Sequence, residues 1–141
     1  MDNCLMLLGL SKKAGFLEVG DDCVSDAVEL VKARCILSAS DASDGSKRRA
    51  GFLAEEASVP HIVLPYTKAE LGIAVGRGTP GMLAITDVGM AESFVSKLAQ
   101  NDSKYGEYAD VLSVKLKRAK ERRAGRQKEE NNKIGKRRTN K

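Results

Sequence analysis

His61 is the only histidine of the 141-residue chain, and it stands in His61-Ile62-Val63-Leu64, a run bracketed by Pro60 and Pro65. An imidazole inside such a buried strand reads as a satisfied core group rather than a general base. No Ser-His-Asp, Cys-His or paired metal-ligand arrangement can be assembled around it. Cys4, Cys23 and Cys35 are scattered and lack Cys-x-x-Cys spacing, which predicts reduced, buried thiols rather than a disulfide framework or a zinc site. Gly76-Arg77-Gly78 with Gly81 imitates part of a phosphate-binding loop. The context is wrong, because these glycines precede a strand, whereas a dinucleotide fingerprint or a P-loop follows one and opens a helix. They are read as a tight turn with positive φ that lets a partner approach the backbone. Asp21, Asp22 and Asp26 suggest a magnesium site, yet helix capping and the macrodipole already account for aspartates at that place. The expectation is no catalytic residue, no metal and no cofactor: not an enzyme.

Charge is more informative. Residues 114–141 hold 13 Lys or Arg against three acids, a net +10, while residues 1–113 hold 11 bases against 16 acids, a net −5. A cationic tail on a mildly acidic body suits a polyanion, since each phosphate neutralised releases condensed counterions. The alternative is a solvated charge run. No apolar stretch approaches the roughly 20 residues of a membrane span. Met1-Asp2-Asn3 lacks the cationic start of a signal peptide, so the expected location is the cytoplasm.

The elements that would position these groups follow from apolar periodicity and caps. A helix is predicted over Asp2 to Ala14, with Leu5, Leu8 and Lys12 on one face and Met6, Leu7 and Leu10 widening the stripe; Gly15 ends it. Phe16–Val19 is a strand closed by Gly20. Asp21 or Asp22 starts a second helix with Cys23, Val24, Ala27, Val28, Leu30 and Val31 at apolar positions. Strands at Cys35–Ser38, His61–Leu64 and Met82–Ile85 alternate with helices over Lys47 to Ala57, Lys68 to Val75, and Asp87 or Val88 to Gln100. Thr67 and Glu70 form a capping box. Short, continuously apolar strands imply a sheet covered on both faces. The fold class is α/β: a three-layer α/β/α sandwich around a small mixed four-stranded sheet, plus a basic C-terminal tail. The body is placed at 1–102 and the tail at 103–141. Tyr105, Tyr108, Val111 or Leu112, Leu116 and Ala119 follow helical spacing, so the tail begins as an amphipathic helix. Beyond Glu121 apolar side chains are too few to offset ordering entropy, which predicts disorder in the free protein.

Five blocks carry a family resemblance: Leu7 to Gly15; Gly20 opening the second helix; Lys32-Ala33-Arg34-Cys35-Ile36-Leu37-Ser38-Ala39-Ser40-Asp41-Ala42-Ser43; Val59-Pro60 with Lys68-Ala69-Glu70-Leu71-Gly72; and Ala74-Val75-Gly76-Arg77 through Ala84-Ile85-Thr86-Asp87. In order and spacing they resemble the L-seven-Ae family of ribosomal and kink-turn RNA-binding proteins, particularly its small bacterial YlxQ-type members, over roughly residues 3–100. The resemblance implies that a helix N-terminus after the first strand, here Gly20, Asp21, Asp22, Cys23 and Asp26, meets the sheared pairs of a kinked RNA. It implies that the loop before the last strand, here Gly78, Thr79, Pro80, Gly81 and Met82, packs on an extruded base. Lys12, Lys13 and Asp41 would flank the same end of the sheet. The family's strong kink-turn binders carry Asn-Glu or Asn-Gln, two residues, then Lys; Asp22-Cys23, Val24-Ser25 and Asp26 stand at those positions. An amide has become an acceptor-only carboxylate and a cation has become an anion.

Two readings of function follow. In one, the chain is an RNA-binding monomer whose partner is ribosomal or kink-turn-containing RNA, with the ribosome itself a candidate. Lys115, Lys117, Arg118, Arg122 and Arg123 of the tail then add affinity. In the other, the same fold is a protein-interaction module whose acidic end, around Asp21, Asp22, Asp26 and Glu29, faces a basic partner.

Overall fold

The computed structural model describes residues 2–76 and 78–139, with side chains through Arg126. Its elements are α1 (Asn3–Lys13), β1 (Leu17–Val19), α2 (Asp21–Glu29), β2 (Cys35–Ser38), α3 (Asp44–Ala57), β3 (His61–Val63), α4 (Lys68–Val75), β4 (Met82–Ile85), α5 (Val88–Asn101), a 3-10 turn (Ser103–Tyr105) and α6 (Gly106–Thr139). The sheet order is β1-β4-β2-β3. β4 is antiparallel to both neighbours, with Leu17 opposite Ile85 and Cys35 opposite Ile85, and β2 is parallel to β3.

Period-two alternation divides the two central strands between two cores. Cys35 and Leu37 of β2 and Leu83 and Ile85 of β4 face a core shared with Leu5, Leu8, Leu71, Phe94 and Leu98. Ile36 of β2 and Met82 and Ala84 of β4 face a second core with Val24, Val28, Ala50 and Ala54. Helices therefore cover both faces of the sheet, as continuous apolar strands require. Caps set the helix starts: Asp2 for α1, Ser43 for α3, Asp87 for α5, and for α4 the complete Thr67/Glu70 capping box. α1 and α4 touch so closely that a Cβ at Gly9 would stand 2.8 Å from the Ala74 carbonyl oxygen.

Several expectations change. Only one side of α1 is covered, so Met6 and Leu10 are exposed rather than part of the buried stripe. Cys4 and Cys35 are buried free thiols, but Cys23 is exposed, because α2 turns Val24, Ala27 and Val28 to the core and Cys23 points off that face. Burial raises the Cys4 thiol pKa and pushes that of Cys35 up to about 12.

The first core does not stop at residue 102. Tyr105 and Leu112 are buried in it, and the Tyr105 hydroxyl donates to the Val63 carbonyl at 3.4 Å. The opening turns of α6 are thus packed on α5. The backbone of α6 continues as helix past Glu121 to Thr139, through a stretch rich in Lys and Arg, both good helix formers. Arg77 of the glycine-rich loop, and Asn140 and Lys141 at the end of the expected tail, lie outside the described residues, as do the side chains from 127 onward.

Two measurements test this packing. Replacing Leu112 by Ala should destabilise the full chain by about 2–4 kcal/mol in urea unfolding; a change within about 0.5 kcal/mol, the range of an ordinary surface substitution, would mean that α6 is not part of the folded body. His61 Nε2 lies 2.8 Å from Ser38 Oγ, and burial lowers the imidazole pKa below its ordinary 6.5. A depressed folded-state pKa means that the unfolded chain takes up the proton first. The His61 contribution is therefore fully present above about pH 6.5 and is lost as pH falls through the lowered value. An NMR titration of this single imidazole should give a midpoint under 6.5, and a midpoint at or above it would contradict the burial.

Candidate nucleic-acid interface

Because β1, β2 and β3 run in one direction, α2, α3 and α4 all start at one end of the sheet, where their N-terminal dipoles converge. At this upper end the two segments expected to meet RNA are brought together. Gly20 N–H donates to the Met82 carbonyl at 2.9 Å, and Ala39 N–H donates to the Gly81 carbonyl at 3.0 Å. Gly20 adopts φ +94° and ψ 159°, a conformation that essentially only glycine reaches. It also supplies no side-chain cap, so the first amides of α2 are left for another acceptor. Gly78, with φ +55°, and Thr79 are exposed beside it.

Not every expected residue presents a side chain there. Met82 is fully buried in the second core and Pro80 is buried too, so within that loop Gly78, Thr79 and the half-buried Gly81 form the surface. Asp22, Cys23 and Asp26 are exposed and Asp21 is half-buried. Asp41 belongs to the upper end but is already occupied: its Oδ1 accepts from Lys68 N–H at 2.8 Å, joining the β2 exit to the start of α4. Lys47, from the first turn of α3, donates to the Ser40 carbonyl at 2.9 Å.

Lys12 and Lys13 do not flank this end. They close α1, whose last turn leads through Gly15 into the beginning of β1; there the Phe16 carbonyl accepts from Thr86 N–H at 2.8 Å. Gly20 lies at the far end of β1, about 10 Å away for a three-residue strand. The two lysines instead border a shallow groove with Leu10, Ile73 and Gly76.

At the lower end, residues of α6 reach the entry of β2. Arg34, whose N–H donates to the Ile85 carbonyl at 2.8 Å, faces Lys115, Arg118, Arg122 and Arg123 across a cleft of about 610 Å³. Four of the five tail cations singled out from the sequence line this cleft; Lys117 is exposed and does not. Arg34 was missed. The only signal for it was its place immediately before a strand whose C-terminal end is the expected recognition edge, which assigns Arg34 to the opposite edge.

Among the described residues, no group of three or more His, Cys, Asp or Glu side chains has the arrangement of a metal site, and no helix is long and apolar enough to cross a membrane.

No family model matches the chain. Over 92 residues it is 28% identical to the RNA-binding protein YlxQ of Bacillus subtilis (strain 168), which covers 65% of this chain and 91% of that protein. Among solved structures, a protein of unknown function from Bacillus halodurans superposes with a TM-score of 0.62 at 24% identity, covering 68% of this chain and 96% of that one. A Giardia lamblia 15.5kD RNA binding protein gives a TM-score of 0.55 at 17% identity, covering 72% and 85%. These two structures share the fold. In sequence the chain is thus similar to YlxQ, and in fold to these two structures, in keeping with its resemblance to the L-seven-Ae family.

Proposed function

We propose that this protein is a non-catalytic RNA-binding protein that reads an irregular, kink-turn-like shape, in ribosomal RNA or on the ribosome. It acts as a cytoplasmic monomer with electrostatic help from its basic C-terminal segment. The observation that carries this reading is the 2.9 Å Gly20–Met82 hydrogen bond, which joins the start of α2 and the loop before β4 into one surface on a chain similar to an RNA-binding protein. Uncapped amides at the start of α2 suit acceptors on base edges or phosphates. The exposed Gly78 and Thr79 leave the backbone open to an unstacked base. RNA is recognised largely through such splayed bases and shape, because the A-form major groove is closed to side chains. The carboxylates of Asp22 and Asp26 oppose a close phosphate, so basic groups elsewhere must supply the electrostatic attraction.

Binding of the full chain to a kink-turn RNA and to an unkinked duplex, at about 50 and 200 mM salt, tests this reading. The kink-turn should bind more tightly, with a log–log salt slope near −4 to −5 for about six phosphates neutralised. Equal affinity for the two RNAs would refute recognition of shape. Absence of RNA binding together with tight binding of a basic protein would favour the interaction-module reading.

The upper end has its own test. Asp26→Lys exchanges an anion for a cation beside the start of α2, and it should tighten kink-turn binding by about ten-fold near 0.1 M salt. If the affinity does not move, this end of the sheet is not in contact with RNA phosphates.

A further inference from the structure

We propose that the cleft between α6 and the lower end of the sheet seats a phosphodiester backbone of RNA, away from the Gly20 surface. This rests on the RNA-binding reading and adds a second, opposite contact to it. The cleft is lined by five cations, Arg34, Lys115, Arg118, Arg122 and Arg123, and by a single acid, Asp87. Asp87 is committed elsewhere: its Oδ2 accepts from Met90 N–H at 2.9 Å as the N-cap of α5. No ion pair neutralises any of the five cations among the described residues, where the one recorded pair is Lys104 with Asp102.

The cations come from two separate parts of the chain. Positions 115, 118 and 122 follow the i+3 and i+4 spacings that bring helical side chains together, and Arg123 borders the same cleft. That face is turned back toward the body, an unusual place to concentrate like charge. It is held there because Tyr105 and Leu112 anchor the start of the helix in the core. Lys115 Nζ donates to the carbonyl of Ser58, the C-cap of α3, at 2.6 Å, and Arg34 Nη1 donates to the Val31 carbonyl at 3.2 Å. Both side chains are therefore steadied by backbone oxygens, with no carboxylate consuming their charge. Guanidinium groups match phosphate oxygens in a planar, two-pronged geometry, and four are present. The α6 cations extend over about 12 Å of helix, a row rather than a point, which suits a polymer of phosphates better than one small anion.

The experiment uses the full chain and two fluorescently labelled probes, a kink-turn hairpin and oligouridylate. Arg34→Gln and Arg118→Gln should each weaken binding of both RNAs by about three- to ten-fold near 0.1 M salt, and each should make the salt slope shallower by about one. Lys120→Gln removes the same charge from the opposite face of α6, and it should change affinity less than about two-fold. Circular-dichroism melting checks that Arg34→Gln is folded, and the exposed Arg118 provides the independent variant. Equal losses for Arg118→Gln and Lys120→Gln, or unchanged binding by Arg34→Gln and Arg118→Gln while the parent binds RNA, would overturn the cleft and leave the RNA-binding reading standing. Failure of the parent chain to bind either probe would overturn both.

Discussion

β4 runs antiparallel to both of its neighbours, so the loop that precedes it must return to the end of the sheet from which α2, α3 and α4 depart. That single directional constraint determines what can meet what. Gly20 and Met82 share a hydrogen bond because one leaves β1 where the other enters β4. Phe16, Arg34, Ile85 and Thr86 gather at the other end for the same reason. With strands of three or four residues the ends are only a short distance apart, yet they differ in character. One collects helix N-termini and the aspartates that suit them; the other receives α6 with its row of cations.

The sheet can remain this small because both faces are closed. Leu37 and Leu83 look one way, toward α1, α4 and α5, while Ile36 and Met82 look the other, toward α2 and α3. Among the described residues the buried polar groups are few and satisfied. Ser11 donates to the Leu7 carbonyl at 2.7 Å, Ser38 pairs with His61, and the Tyr66 hydroxyl donates to Asp2 Oδ2 at 2.7 Å, tying the start of α1 to the exit of β3. Burial and the Asp2 carboxylate both hold the Tyr66 phenol well above its ordinary pKa, so it stays a donor. The Asp2 carboxylate thereby serves two elements, since its other oxygen caps α1 through Leu5 N–H at 2.9 Å.

Much of this was legible in the sequence. The four strands, the capping box at Thr67 and Glu70, and the sandwich itself follow from apolar periodicity and cap residues, which are local signals. Less legible was anything that depends on where one element lies against another. The family resemblance carries Met82 over with the loop that would pack on a base, but as the first residue of β4 it faces the second core. The family resemblance implies the Gly20 end for Lys12 and Lys13; strand direction carries them to the other one. The exposure of Cys23 could not be read from apolar spacing alone, because a cysteine counts as apolar on either face of α2. The partnership of Arg34 with α6 joins residues more than 80 positions apart, and no local pattern announces it.

The cysteines carry a practical consequence. Cys4 and Cys35 are enclosed, and burial makes both thiols harder to ionise, whereas Cys23 stands in the open on the first turn of α2. Maleimide or iodoacetamide dyes react with accessible thiolate, so the folded wild-type chain should be tagged selectively at this one place. A fluorophore installed there would sit beside Gly20 and the loop before β4. Energy transfer to a label on a bound oligonucleotide could then report which end of the molecule the strand enters, without altering a residue.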